Sequence, residues 1–442
     1  MKLAVIGGGS LYTPELIRGW LTRRDDLPLD EIHLMDLPEA AGRLATVADF
    51  SRRLIAQAGG GAHLATGDSL DLAIEGADIV INQFRVGGQL ARDLDETVPL
   101  RHGLIGQETT GPGGFAMALR TIPVAVTVAE RVRAMAGPKP WLINFTNPAG
   151  LVTEAILKAV PGVSVVGLCN IPLILRQQAA TAFGVPLAEV TLETAGLNHL
   201  SLFRVQVAGR DVTEAILAGP LVAGEVVANL PSLDRTSAQV LAMSRWVRRL
   251  GWIPNPYFRY FLLPDETLAD AQSAADRGEN RARLVLALER EILDAYASAG
   301  PAVMPAQLSR RGGTLYSQAA LDLIFALWSE RGQMTVNTPN HGAISDLPAD
   351  AVVEMDVLVD RSGIHSLPHP DLPLAARGLI QSVKTYEQLA VEAALGGDRE
   401  IALAALIAHP LVSGMGQAEP LLSDLLAAHR QFLPQFFPEL AP

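Results

Sequence analysis

Two side chains bound the chemistry available to this chain. Cys169 is the only cysteine in 442 residues and stands in Gly167-Leu168-Cys169-Asn170-Ile171-Pro172, at the end of an apolar run. His199 follows 30 positions later in Gly196-Leu197-Asn198-His199-Leu200. A lone cysteine forms no internal disulfide, so it serves packing, metal binding or reactivity. A thiolate with an imidazole makes half the coordination shell of a borderline-soft divalent ion, leaving positions open for water or substrate oxygens. The competing reading is a small buried hydrophobe and a turn histidine, and these two residue types alone leave both readings standing.

The elements that must position this pair follow from hydrophobic pattern. Residues 163–168 form a β-branched run that predicts a buried strand, with Cys169 at its carboxyl edge. In open α/β sheets that edge is where ligands bind. At the N-terminus, Lys2-Leu3-Ala4-Val5-Ile6 runs into Gly7-Gly8-Gly9-Ser10 and then a helical pattern through Trp20. Strand, glycine turn and helix start offer backbone N–H groups to a pyrophosphate. Gly7 and Gly9 fit the first two glycines of the dinucleotide fingerprint, Ser10 closes the turn, and Tyr12 stands where the third glycine is expected. A second strand, residues 31–36, ends in Asp36, whose carboxylate suits a ribose diol and disfavours a 2'-phosphate, hence NAD over NADP.

A helix over residues 40–58 and a third strand over 77–82 continue the alternation of a doubly wound parallel sheet. The glycine- and threonine-rich stretch 106–114 reads as a loop able to close over a cofactor, with a helix beginning at Arg120. Residues 141–150 read as a strand breaking into a helix start, with Asn147 at a capping or ligand-facing position. Further on come strands near 202–207 and 351–358 and long helices over about 276–297. The fold class expected is α/β: an N-terminal Rossmann-like doubly wound sheet with a mixed α+β lobe for catalysis and oligomerisation. The division is placed between an NAD-binding unit, 1–168, and a substrate- and metal-binding unit, 169–442.

Composition narrows the function classes. An apolar content of 49% fits a compact globular protein with a large core. A net charge of -12 argues against nucleic acid or an anionic membrane surface as partner, so an anionic substrate needs a few specific arginines. No run reaches the roughly 18 consecutive apolar residues of a spanning helix. The N-terminus has no basic region ahead of a cleavable apolar segment, and a single unpaired cysteine fits a reducing cytoplasm.

Taken as an ordered set, these motifs resemble glycoside hydrolase family 4, the NAD- and metal-dependent phosphoglycosidases. The resemblance is carried by VIGGGSLYTPEL (5–16), INQFRVGG (81–88), GLIGQETTGPGG (103–114), ALRTIP (118–123), INFTNPAG (143–150), GLCNIP (167–172), GLNHL (196–200), NPYFRY (255–260), RSGIHSLP (361–368) and IAHPL (407–411). Tyr12 in place of the third glycine is part of that family's pattern. The family departs from two-carboxylate glycosidases, so its mechanism is implied by the resemblance and not by the residues alone. It implies transient oxidation at carbon 3 of the sugar by NAD, proton abstraction at carbon 2, elimination of the aglycone and addition of water.

Carried onto this sequence, the resemblance implies Cys169 and His199 as ligands of a divalent ion, manganese first. It implies Tyr257 as the base, with Tyr260 in reserve and neighbouring Arg259 among the groups that help the phenol ionise. Arg281 matches a phosphate-binding arginine, Arg85 and Asn147 match further substrate contacts, and Glu108 resembles a residue touching substrate or water. Asn170 stands where relatives acting on α-linked substrates carry Asp, and an amide donates no ionisable proton. The implied substrates are therefore 6-phospho-β-glucosides, a phosphorylated disaccharide or aryl glucoside, and the implied assembly is a cytoplasmic homodimer or homotetramer. Two other classes share the nucleotide fold. An NAD-dependent 2-hydroxyacid dehydrogenase of the lactate or malate type leaves Cys169 without a duty, and a non-catalytic NAD sensor gains nothing from Cys169, His199 and Tyr257.

Overall fold

The computed structural model describes residues 1–218, 238–311, 315–328 and 331–440. Its centre is a sheet whose first six strands are parallel: β1 (Lys2–Ile6), β2 (Glu31–Met35), β3 (His63–Gly67), β4 (Ile79–Asn82), β5 (Trp141–Asn144) and β6 (Val165–Gly167). They lie in the order 6-5-4-1-2-3, so the winding reverses between β1 and β4. Their sequences are short apolar runs because helices cover both faces: Leu3, Ala4, Val5 and Ile6 are all buried, as are Ile79, Val80 and Ile81.

Four further strands, β7 (Val190–Leu197), β8 (Leu200–Val207), β9 (Arg210–Asp211) and β10 (Ile253–Pro254), make a second, antiparallel sheet. The chain then returns to the first sheet. β11 (Gly332–Pro339) pairs antiparallel with β6 through Asn337 and Gly167, and β12 (Val352–Asp360) and β13 (Gly363–Ser366) extend it to nine strands. β7 packs on β12, where the Asp356 carboxylate accepts the Thr194 N–H at 2.5 Å. The side chains of both sheets are thereby tied together next to the end of β6.

Four local readings differ from the sequence pattern. β3 was not expected: His63-Leu64-Ala65-Thr66-Gly67 is a half-exposed edge strand without a strong apolar run. The stretch 106–114 is a loop only in its first half, because Gly111 opens the helix Gly111–Met135. Pro112 suits the first turn, and a Cβ on Gly113 would stand 2.3 Å from the Gln107 carbonyl oxygen, so close packing rather than mobility accounts for the glycines. Arg120 is therefore mid-helix, buried against the Asp95 carboxylate. The helices expected over about 276–297 are one, Arg281–Ala297, which starts five residues later than expected because a turn at Gly278, with φ 68°, separates it from the preceding helix Pro264–Asp276.

Among the described residues one helix, Gly111–Met135, is long and apolar enough by composition to cross a membrane, yet 78% of its apolar window is buried inside the protein. It is a core helix packed against the parallel sheet and the helix Leu374–Gly396.

Candidate active site

The carboxyl ends of β1, β2, β4, β5 and β6 deliver Gly7, Gly9, Ser10, Asp36, Arg85, Asn147, Cys169 and Asn170, whereas Glu108 lies ahead of the helix Gly111–Met135 and His199 on the turn between β7 and β8. After β1, Gly7 turns with φ 85°, and Gly7 and Gly8 both donate to the Met35 carbonyl, at 2.9 and 2.8 Å. Gly9 donates to Asp36 Oδ2 at 2.8 Å, and Leu37 N–H to Oδ1 at 2.9 Å. Each oxygen of Asp36 thus holds one amide and keeps acceptor capacity for another donor. A Cβ on Gly7, Gly8 or Gly9 would meet Phe84, Leu34 or Asp36 at 2.7–2.8 Å. This crowding leaves backbone alone to face the crevice at the reversal point, and the cradle fits a dinucleotide. Ser10 is half-buried in the turn, its N–H bonded to the Gly7 carbonyl at 3.0 Å. Tyr12, in the third glycine's place, is buried beneath the Arg311 guanidinium at 4.8 Å and against Tyr316.

Cys169 emerges two residues past β6, directly before the helix Ile171–Phe183. The N–H groups of Ile171 and Asn170 and the Asn198 side-chain amide favour its thiolate form. Burial and the Glu354 carboxylate nevertheless push the free thiol up to about 12. Asn170 occupies the N-cap position of that helix.

His199 is the second residue of the two-residue turn joining β7 and β8, which pair in register through Leu197 and Leu200. Its φ of 64° lies in the left-handed region, and the preceding Gly196 has φ 141° because a Cβ there would strike the Leu200 carbonyl at 2.6 Å. Burial pulls the imidazole down to about 4, so the ring is neutral at pH 7 and has a lone pair to give. The ring stacks face to face on Tyr257, centroids 4.2 Å apart and planes within 9°.

Tyr257 sits in a single turn, Pro256–Phe258, whose N-cap Asn255 is fully buried and accepts the Tyr257 N–H at 3.1 Å. Burial raises the phenol well above its ordinary value; Tyr260, Glu108 and Cys169 nearby push the same way, and a hydrogen bond with Thr109 opposes them. The common field links Cys169, Tyr257 and, through the stack, His199. Arg259 does not serve Tyr257: its guanidinium bonds the Tyr260 hydroxyl at 2.8 Å and lies over that ring. Burial lowers Arg92, but Glu108 and Glu96 outweigh it, and a charge on Tyr257 adds to their effect.

Arg85, just past β4, ion-pairs with Glu108, and Arg92 pairs with Glu108 at 3.0 Å and with Glu96 at 2.8 Å. Burial would raise Glu108, but Arg85 and Arg92 together hold it down at about 2, so it is a carboxylate at any working pH. Arg281 starts the helix Arg281–Ala297 at the exposed rim of this cluster; its Nη2 bonds the carbonyls of Arg310 and Arg311 at 3.1 and 2.6 Å. Asn147 is half-buried before Pro148, at the cis peptide that follows β5. A cavity beside His199 is walled by Thr109, Asn198, Phe261, Tyr386 and His409. His365 bonds Asp360 and His369 bonds the Asp356 carbonyl, each within the β12–β13 end of the sheet.

Sequence reasoning missed Arg92, Arg311, Thr109 and Glu354. Arg92, Asp95 and Glu96 lie in a helix whose sequence reads as a solvated charged face, yet all three are buried. Arg311 ends the short helical segment Ala306–Arg311, too brief for a helical period to place it.

The donor set fits a divalent ion. A sulfur and a neutral imidazole stand near one phenol with an anionic Glu108 in range, a combination suited to manganese or zinc with open positions. Among the described residues no cluster of three or more His, Cys, Asp or Glu forms a closed cage.

Known proteins match nearly the whole chain. Residues 2–185 match the sequence family described as Family 4 glycosyl hydrolase, and residues 194–412 match Family 4 glycosyl hydrolase C-terminal domain. A protein of Bacillus subtilis (strain 168) named "Probable 6-phospho-beta-glucosidase" is 38% identical over 443 residues, covering 99% of this chain and 98% of that one. The 6-phospho-beta-glucosidase of Thermotoga maritima is 36% identical over 436 residues, covering 98% and 99%. A solved structure of a Thermotoga maritima 6-phospho-beta glucosidase with manganese, NAD+ and glucose-6-phosphate superposes with a TM-score of 0.87 over 98% of this chain and 99% of that one.

Proposed function

The chain belongs to glycosyl hydrolase family 4, and from that premise we propose that it hydrolyses 6-phospho-β-glucosides to glucose 6-phosphate and an aglycone, using NAD and a divalent metal. The observation that carries this reading is the stack of His199 on Tyr257 at 4.2 Å, with Cys169 acting on the same phenol. That stack supports the reading, which needs a proton acceptor beside the side chains that hold the cation.

In this reading the backbone of residues 7–9 receives the pyrophosphate, Ser10 lines the same turn and Asp36 accepts from the ribose diol. Cys169 and His199 hold the ion. When bound, NAD supplies a reversible two-electron acceptor for carbon 3, and a manganese ion supplies Lewis acidity for the sugar oxygens. Tyr257 takes the proton from carbon 2 and returns one there at the end of the cycle. A phenol buried among Tyr260, Glu108 and Cys169 resists ionisation, so its proton transfer depends on the positive groups brought in by the ligands. Arg85, Arg281 and Asn147 orient the sugar phosphate, with guanidinium forks suited to a phosphate. Glu108, held anionic by two arginines, fixes those side chains and faces substrate or water. Asn170 beside Cys169 can donate an amide hydrogen bond but no acid proton, which favours β- over α-linked substrates.

The same reading keeps the division at 168/169, with NAD on one side and substrate, metal and subunit contacts on the other. It also takes the protein to be cytoplasmic and a homodimer or homotetramer, to be checked by light scattering, where a monomer would count against it. The deciding assay offers β- and α-linked 6-phosphoglucosides with and without NAD+ and Mn2+. Cleavage of the β-linked substrate only when both are present is expected. Net accumulation of NADH would instead indicate a dehydrogenase, and NAD+ binding without turnover a sensor.

A further inference from the structure

Glu354 lies on β12, in the C-terminal part of the main sheet, and takes no part in the chemistry above. Its side chain is 1% exposed. A buried carboxylate is unfavourable unless it is paired or hydrogen-bonded. Among the described residues no Lys, Arg or His forms an ion pair with it, so its partners are hydrogen-bond donors, and their identity is informative. Oε1 accepts from Asn198 Nδ2 at 3.0 Å and Oε2 from Ser201 Oγ at 2.6 Å. These donors flank His199 on both sides of the β7–β8 turn. The Asn198 amide also lies close enough to Cys169 to favour its thiolate form. Ser201 Oγ in turn accepts from Asn255 Nδ2 at 3.2 Å, and Asn255 Oδ1 accepts the Tyr257 N–H at 3.1 Å.

One carboxylate therefore sits at the junction of three segments distant in sequence: the end of β6, the β7–β8 turn and the Tyr257 turn. We propose that Glu354 is a positioning residue, which by holding Asn198 and Ser201 fixes where the Cys169 sulfur, the His199 ring and the Tyr257 turn stand relative to one another. This inference rests on Cys169 and His199 being the metal-binding pair. A hydrogen-bond role makes a specific demand on substitutions. Glutamine keeps one acceptor for Asn198, and the Ser201 hydroxyl can rotate to accept from the new amide, so Glu354→Gln preserves the network that Glu354→Ala removes.

The test measures Mn2+ affinity of the full-length protein from the paramagnetic resonance signal of free Mn2+, with no substrate present, and then kcat and KM at saturating Mn2+. Glu354→Ala is expected to weaken Mn2+ binding by about tenfold or more, the range typical of groups that orient metal ligands. It should also lower kcat more than it raises KM, because the Tyr257 turn is displaced. Glu354→Gln should stay within about threefold of the parent in affinity. Should Glu354→Ala fail to fold, Ser201→Ala, which cuts the arm toward Asn255, carries the same readouts and the same expected direction. A folded Glu354→Ala or Ser201→Ala protein with parental Mn2+ affinity and kcat overturns the inference, as does a Glu354→Gln loss equal to that of Glu354→Ala. Cys169→Ser and His199→Ala are measured alongside. If these bind Mn2+ like the parent, the ligand assignment fails and the inference falls with it; if they weaken binding and the Glu354 variants do not, only the inference fails.

Discussion

His199 holds a backbone conformation that costs a non-glycine residue on the order of 1–2 kcal/mol, and it does so with its ring laid flat on Tyr257. Strain of this kind persists where the surroundings over-determine it, which is common at functional sites. If Tyr257 is the base, Tyr257→Phe should keep the stack and lower kcat by about 10²–10⁴-fold, the usual contribution of a positioned proton acceptor. An unchanged kcat would remove Tyr257 from the mechanism. Glu108 allows a pH test. Its folded value of about 2 lies below the ordinary 4.5, so its contribution to stability is complete above about 4.5 and is lost as pH falls toward 2. The gap in urea midpoint between parent and Glu108→Gln should accordingly be constant near neutrality and shrink across that window. A gap independent of pH would contradict the two-arginine clamp. At this scale the sequence was readable where residue types are scarce, as with Cys169. It was unreadable for Arg92, because a charged helical stretch looks the same whether it faces solvent or a buried counter-charge.

At the scale of elements, the glycine turn after β1 and the β7–β8 turn were both visible, since a strand entering glycine has few other uses. Gly7 combines φ 85° with a Cβ position 2.8 Å from the Phe84 backbone. Gly7→Ala should therefore shift the turn and weaken NAD+ binding by about tenfold or more, equivalent to about 1.4 kcal/mol, as read by fluorescence titration with NADH. Parental affinity would mean that the dinucleotide does not lie on this turn. What the pattern hid was what tertiary packing decides. β3 has no apolar period of its own and pairs because β2 offers it an edge. The first turn of Gly111–Met135 reads as a loop from its glycines, whereas packing against Gln107 and Thr109 demands them.

For the molecule as a whole, the sheet is assembled from both halves of the chain, with β11 pairing beside β6 just where Cys169 emerges. Alternating strands and helices predict the parallel half, but nothing local announces that three antiparallel strands return to complete it. That return brings Glu354 beneath the site and gives the C-terminal half a physical hold on it. The net charge of -12 likewise conceals a local excess of guanidinium groups: Arg85, Arg92, Arg281 and Arg311 converge near Glu108, where the proposed sugar phosphate would need them. The central claim is that Tyr257, beside Cys169 and His199, exchanges the proton on carbon 2 of the sugar during each cleavage. Turnover of a 6-phospho-β-glucoside in deuterated water, with NAD+ and Mn2+, tests it by nuclear magnetic resonance of the released glucose 6-phosphate. Deuterium at carbon 2 is the predicted result, and protium retained at that carbon would contradict the account.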